Sequence, residues 1–344
     1  MPRTIDENRT DFINLFGEVR LWDDGCGGSL NARVGRQELL YGAQRLVSPL
    51  DWSNTRRTFD GAQLFWKSDS WDVDAFWTRP VPFSQHVDND HNFDNPDQSQ
   101  QFYGLYATWH EVKDHTWDFY YLHLQEQDAV VTIGGPVATD FDTNTLGSRY
   151  QGRCADWLWE IEGAYQFGDF GDDDQSAGAY TIGVGYDFRC LPWKPVLWGY
   201  FDWASGDRDP ADGDRGTFHQ LFPLGHKYIG FADLVARQNI EDWNLLLTAK
   251  PCERVSLLAW WHIMHLEESN DALYNAAGAK IRNAAGADFG DDVGQEIDLL
   301  VQVQLNMHAD ILFGYSRFFS GDFVEDTGVG DDADFFYTQF SFKF

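Results

Sequence analysis

Runs of about ten residues in which apolar and polar side chains alternate recur along the whole chain. In the run 156–167, Trp157 and Ile161 share one face, whereas Glu160 and Glu162 share the other. Such alternation is typical of β-strands with one apolar and one polar face. Fifteen runs are predicted to be strands: 11–22, 30–40, 58–66, 71–77, 101–109, 117–124, 146–153, 156–167, 180–188, 195–204, 243–249, 255–263, 297–305, 309–319 and 334–344.

The predicted connections between these strands alternate between short and long. The short ones are 23–28, 67–70, 110–115, 153–155, 189–194, 251–254 and 306–308. The long ones are 42–57, 79–99, 126–145, 168–178, 204–241, 264–293 and 320–332, and we interpret the stretch 226–237 as loop structure within one of them. Barrels of the bacterial outer membrane have short periplasmic turns and long extracellular loops.

We therefore predict an all-β fold, a single antiparallel transmembrane β-barrel domain over residues 1–344 in the outer membrane. The final stretch DFFYTQFSFKF, with a terminal Phe344, is typical of the last strand of such barrels. Mean hydropathy is only -0.44, and no apolar run reaches the roughly 18 residues of a transmembrane helix. A soluble β-sandwich is the structural alternative, and dependence on detergent would separate the two.

Basic residues concentrate in the stretch 33–60, although the whole chain has a formal net charge of -30. A guanidinium presents a rigid fork of donors that suits carboxylates and phosphates, so this cluster points to an anionic ligand. The alternative is that these arginines pair with internal carboxylates and hold a loop in place. The cluster consists of Arg33, Arg36, Arg45, Arg56 and Arg57.

Three segments resemble the alginate export family of outer-membrane barrels. They are RVGRQELLYGAQRL with SPLDWSNTRRTFDG, ASGDRDPADGDRGTFHQLFPLGHKYIGF and GYSRFFSGDF. The resemblance implies an 18-stranded monomeric barrel whose arginine-lined lumen passes a polyuronate. By position, it implies that the five arginines of the cluster contact the substrate, and we expect Arg33, Arg45, Arg56 and Arg57 to approach one another there.

The predicted function is passage of an anionic polysaccharide or oligosaccharide, and the alternative is a general porin. An outer-membrane enzyme acting on polysaccharide or lipid is a third hypothesis. Besides the substrate, the predicted partners are the lipid bilayer and periplasmic secretion proteins, with no nucleic acid and no cofactor. The predicted lumenal substrate-binding residues are Arg33, Arg36, Arg45, Arg56, Arg57, Gln63, Asp72, Asp74, Glu160 and Glu162.

No metal site is predicted, because His262 and His265 are three residues apart and so face opposite sides of a strand. No GxSxG motif is present. All four cysteines fall in predicted periplasmic turns and are expected to be free thiols, with Cys154 and Cys190 the best-placed pair.

The count of fifteen strands leads to one more expectation. A bacterial single-chain barrel has an even number of strands and begins in the periplasm, whereas counting back from Phe344 places the start of 11–22 outside. We therefore expect one or three strands and a leader upstream of Met1, with a gap or an imperfect seam between the first and last strands.

Overall fold

The structure is a computed structural model that describes residues 11–53, 55–82, 94–127, 131–132, 135–136, 139–283 and 289–344. It is almost entirely β-structure. The strands are β1 (Leu15–Asp23), β2 (Ser29–Gln37), β3 (Thr58–Lys67), β4 (Trp71–Val81), β5 (Gln100–Trp109), β6 (His115–Glu126), β7 (Val131–Thr132), β8 (Gly135–Pro136), β9 (Phe141–Cys154), β10 (Trp157–Phe170), β11 (Asp173–Asp187), β12 (Val196–Ala204), β13 (Asp214–Arg215), β14 (Ile240–Cys252), β15 (Val255–His265), β16 (Ala272–Tyr274), β17 (Lys280–Asn283), β18 (Asp292–Gln304), β19 (Ala309–Ser320) and β20 (Ala333–Phe342). The helices are α1 (Gly225–Tyr228) and α2 (Asp322–Asp326).

One antiparallel sheet contains all the long strands. Its order is β1-β2-β3-β4-β5-β6-β9-β10-β11-β12-β14-β15-β18-β19-β20, and the short β13 adds to β11 in parallel. Every long strand therefore pairs with its neighbours in sequence, as in an up-and-down barrel. Within the described residues these are fifteen strands, each overlapping a predicted one, and β1 and β20 form the two ends of the path.

The predicted alternation of short and long connections holds with one exception. The connection expected at 168–178 is instead a tight hairpin, because β10 continues to Phe170 and β11 begins at Asp173. Backbone pairing does not require an apolar face, so a polar hairpin can extend a strand pair into water. The left-handed conformation of Gly171 (φ 65°) makes this turn. The stretch 226–237 contains the end of α1 and no strand, which confirms its interpretation as loop.

The exposure of apolar side chains on the long strands differs from that in a soluble protein. Large apolar residues of the long strands are exposed, among them Ile161 at 48% and Val184 at 49%. Charged residues on the opposite face, such as Glu160, Asp202 and Asp298, are buried. Apolar side chains outside and polar side chains inside are what a membrane-spanning barrel requires. No helix among the described residues is long and apolar enough to span a membrane.

Two long connections turn into the interior and form its apolar core. We call the residues 39–57 (without residue 54) and 216–239 the inward segments. Val47 and Phe222 form a parallel bridge between them, supported by hydrogen bonds from Ser48 N to Phe222 O (2.8 Å) and from Phe222 N to Leu46 O (2.9 Å). Phe222 also packs edge-on against Phe59 and Phe102 of the wall, with ring centroids 5.2 and 4.9 Å apart. The inward segments therefore occupy part of the lumen.

Candidate functional site: the charged lumen

Arg45 crosses the interior from the first inward segment to strand β10. Its Nη1 donates to Glu160 Oε1 at 2.7 Å and to Glu162 Oε2 at 3.0 Å, and its guanidinium lies 4.4 Å from the ring centroid of Tyr228. Burial disfavours the charge, but Glu160, Tyr228 and Glu162 outweigh that cost and raise the pKa of Arg45 well above its usual value. Three predicted site residues, Arg45, Glu160 and Glu162, thus meet in one buried ion-pair cluster.

Arg57 is equally buried but has no carboxylate partner among the described residues. Its Nη1 donates to three backbone carbonyls, those of Ser48 (3.1 Å), Phe222 (2.6 Å) and Pro223 (3.2 Å). Burial lowers the pKa of Arg57 to about 9. Because two of these carbonyls belong to the second inward segment, Arg57 fastens the two segments together.

Arg56 and Arg33 keep partly exposed side chains, at 31% and 26%. Arg56 pairs with Glu38 and Asp51; burial opposes its charge, but these carboxylates outweigh it and raise the pKa of Arg56. Arg33 donates to Glu18 Oε2 from Nη2 at 2.6 Å and lies 4.2 Å from the ring centroid of Phe16. Each of these arginines therefore has both an internal counter-ion and a side chain that is partly open to solvent.

Arg36 lies on the outer face of the sheet rather than in the lumen. It faces Asp60 across the β2–β3 pair and binds both carboxylate oxygens, at 2.8 and 3.1 Å. Asp60 shares its face with Ala62, which is exposed with the outer apolar surface. This corrects the lumenal position expected for Arg36, and the reason is spacing: Arg33 and Arg36 are three residues apart on a strand that alternates faces every residue.

The other predicted residues of β3 and β4 fall into two places. Gln63 Nε2 donates to Asp74 Oδ2 at 2.9 Å and to the hydroxyl of Tyr41 at 3.2 Å, on the inner face. Asp72 lies close to the short turn, where it accepts from Lys67 Nζ at 3.0 Å. Gln63 and Asp74 thus meet inside the barrel, whereas Asp72 belongs to its short-turn rim.

Several interior charges were not singled out from the sequence. Arg149 binds Asp118 at 3.0 Å and Glu160 at 2.8 Å, and Arg237 of the second inward segment binds Asp202. On β9, the alternation that places Leu146 and Ser148 outside places Arg149 inside, so the strand pattern contained this signal. Arg237 lies in a connection without periodicity, and no comparable signal marks it.

Two acids of β18 hold the backbone of the second inward segment. Glu296 accepts the N–H of Ala232 at 2.8 Å, and Asp298 accepts that of Phe231 at 3.3 Å. Next to them, the buried His262 bonds Asp242 at 2.7 Å. No group of three or more metal-binding side chains is present in the part of the chain that the structure describes. The lumen is thus lined by polar and ionisable side chains, many of which pair with one another or hold the inward segments.

The comparison with protein families decides what this barrel is. The family model described as alginate export matches residues 1–337, which is nearly the whole chain. The chain belongs to the alginate export family. The search of curated proteins found no match for this family member.

Solved structures similar to this alginate export family member are porins. OccK11 (OpdR) of Pseudomonas aeruginosa is 15% identical, with 92% of this chain and 78% of that chain covered and a TM-score of 0.57. OprD of the same organism is 12% identical (91% and 75% covered, TM-score 0.53), as is OccAB1 of Acinetobacter baumannii (91% and 73%, 0.55). At these identities the likeness shows the fold, an outer-membrane β-barrel. Family and fold together place the chain in the outer membrane as a channel protein.

The four cysteines of this family member lie where the turn assignment predicts. All four are free and exposed, and Cys26, Cys154, Cys190 and Cys252 lie in or beside the short turns on one rim. Their positions in the turns agree with the prediction, and free thiols stay the expectation for their redox state.

Proposed function

We propose that this barrel is a conduit for anionic polysaccharide or oligosaccharide, with Arg33 and Arg56 as the groups that contact substrate carboxylates. The observation that carries the proposal is the division among the inner arginines. Arg45 and Arg57 are buried and bonded to internal groups, whereas Arg33 and Arg56 are partly exposed beside exchangeable carboxylates. The membership in the alginate export family supports an acidic polymer as the substrate.

The transport step is an exchange of counter-ions. A uronate carboxylate displaces Glu18 from Arg33, or Glu38 and Asp51 from Arg56, and leaves when the internal acid returns. Such contacts are weak because both charges remain near water. Several weak sites in series let a polymer both enter and leave, as conduction requires. The remaining lumenal acids repel a polyanion and keep it from settling on the wall.

A general porin is the second candidate. The likeness to OprD and the Occ structures favours it, as does the net charge of -30, which does not attract an anionic solute. In that case the arginines shape the lumen only, and uronate and neutral sugars of equal length would pass equally.

Single-channel recording with uronate oligomers tests the proposal. We expect the double variant Arg33→Gln with Arg56→Gln to weaken uronate block about tenfold, because two partly exposed ion contacts contribute roughly 0.5–1 kcal/mol each. Arg317→Gln is the matched control, since that guanidinium lies on the outer face and pairs with Asp332 and Asp334. Unchanged block in the double variant, with equal swelling of liposomes in uronate and neutral oligomers, would support the general porin. Shortening of the polymer by purified protein would support the enzyme.

A further inference from the structure

The outer face of strands β2 to β6 carries a groove of about 490 Å³. Its floor includes Ala62 and Ala75, and its walls include Val34, Trp77 and Tyr103. Val34 and Trp77 flank Ala62 in the register and are among the most exposed apolar side chains on this side, at 63% and 47%. The small side chains between larger neighbours create the depression, whose volume lies in the range of about 300–1,000 Å³ typical of ligand sites.

A row of polar side chains borders the groove at the end nearer the long connections. In the register Arg36 faces Asp60, Asp60 faces Arg79, and Gln101 faces Gln125. These residues lie two positions, or four for Gln125, along their strands from the groove residues, on the same face. The row is joined to the groove by hydrogen bonds from Trp77 Nε1 to Gln101 (3.0 Å) and from Gln101 Nε2 to Gln125 (3.3 Å). An apolar groove that ends in a polar row matches the two parts of a lipid, its acyl chain and its headgroup.

Arg79 is the cation of this row for which the described residues provide no carboxylate partner. Its guanidinium lies 5.8 Å from the ring centroid of Trp77, directly above the groove wall. Its contacts among the described residues are to the backbone carbonyls of Asp97 and Gln98. The carboxylate of Asp60, opposite Arg79 in the register, already binds Arg36 through both oxygens. Arg79 therefore retains charge for a phosphate.

We propose that this groove and Arg79 form a binding site for one phosphorylated glycolipid of the lipid A type. One acyl chain lies between Val34 and Trp77 over Ala62, a lipid phosphate binds Arg79, and Gln101 and Gln125 meet sugar hydroxyls. The groove is continuous with the lipid-facing surface, and it lies in the half nearer the long connections, which face outward in such barrels. The leaflet on that side of an outer membrane is the one that contains lipid A.

Strands away from the groove provide matched controls on the same outer face. Arg317 also lies over an aromatic ring on the outer face, 5.0 Å from the centroid of Phe319, but it is neutralised by Asp332 and Asp334. Gly199 is an exposed position on β12 where an added side chain meets open space. Arg317→Gln and Gly199→Phe therefore remove the same charge and introduce the same aromatic side chain outside the proposed site.

Native mass spectrometry of the refolded protein, titrated with lipid A in detergent, tests the proposal. We expect one lipid A per barrel in the unmodified protein and in both controls, and about tenfold weaker binding after Arg79→Gln, which removes a charge-assisted contact. Ala62→Phe should abolish binding by filling the groove. Channel conductance of each variant verifies that it is folded.

Three results would overturn the proposal. Equal binding by Arg79→Gln and Arg317→Gln would show that no phosphate rests on Arg79. Equal retention of phosphatidylglycerol and lipid A, insensitive to Arg79→Gln, would mean ordinary acyl contact. A dimer of the unmodified protein that Ala62→Phe dissociates would mean that a second copy covers the groove.

Discussion

Replacing Arg57 by Met should release the two inward segments from each other while leaving the barrel wall in place. The guanidinium is buried, and its hydrogen-bond acceptors among the described residues are the backbone carbonyls of Ser48, Phe222 and Pro223. Met fills similar apolar volume without a donor, and its flexibility limits the packing cost.

The size of the effect follows from which carbonyls lose their partner. Phe222 O keeps the N–H of Ser48 at 2.8 Å, whereas Ser48 O and Pro223 O have no other hydrogen bond among the described contacts. Each buried carbonyl left without a donor costs roughly 1–3 kcal/mol. Two such losses, reduced by the desolvation cost that the buried cation no longer incurs, destabilise the contact between the two segments by about 3 kcal/mol. This corresponds to an opening equilibrium on the order of a hundredfold larger.

Hydrogen exchange measured on the folded barrel can detect this change at defined amides. Those of Ser48, Phe222 and Leu224 bond across the two segments, so their exchange should accelerate about a hundredfold. Arg56→Met is the control, because its partly exposed ion pairs contribute below about 1 kcal/mol. If Arg57→Met accelerated these three amides no more than Arg56→Met does, the buried guanidinium would not be what joins the segments.

Two further predictions concern acid and the thiols. Burial lowers the pKa of His219 to about 4 from 6.5, and the ring accepts the N–H of Leu221 at 3.2 Å, so the neutral form is the folded one. The free energy by which neutral His219 stabilises the second inward segment is complete above pH 6.5 and declines as pH falls toward 4, by roughly 3 kcal/mol in total. Channel conductance should therefore rise between about pH 6.5 and 5, and it should rise less steeply in His219→Gln. A His219→Gln variant with the parent's pH profile would contradict this prediction. An impermeant maleimide should label the four cysteines only from the periplasmic side; labelling of intact cells would reverse the assigned orientation of the short turns.

Strand positions could be predicted because both environments of the sheet impose the same period. Lipid outside and a polar lumen inside alternate along every strand, so Ile161 and Glu162 identify their faces from sequence alone. Where both faces meet water, that contrast disappears, which is why the extension of β10 to Phe170 was not predicted. Arg36 shows the opposite error, since the alternation rule itself places it outside, whereas the family resemblance, carried over by position, implied a place in the lumen.

Which arginine meets which partner could not be predicted, because that depends on the path of the inward segments. Arg45 meets Glu160 across 115 residues, and Arg57 meets Phe222 across 165. Neither segment has a period that fixes its direction. For Arg45 and Arg57 the structural alternative holds, since both pair with internal groups and hold a connection in place. Contact of Arg33 and Arg56 with a substrate stays a prediction.

The inward segments also have a mechanical consequence for the barrel. Arg45 ties the connection after β2 to β10, the Val47–Phe222 bridge joins it to the connection after β12, and Glu296 and Asp298 anchor that connection to β18. Together these contacts cross-link distant strands of the barrel wall through the lumen. A hollow barrel under lateral pressure from lipid tends to flatten into an ellipse. The cross-links through the inward segments resist that flattening. The cross-section available to a solute is therefore set by a few interior polar contacts rather than by the number of strands alone.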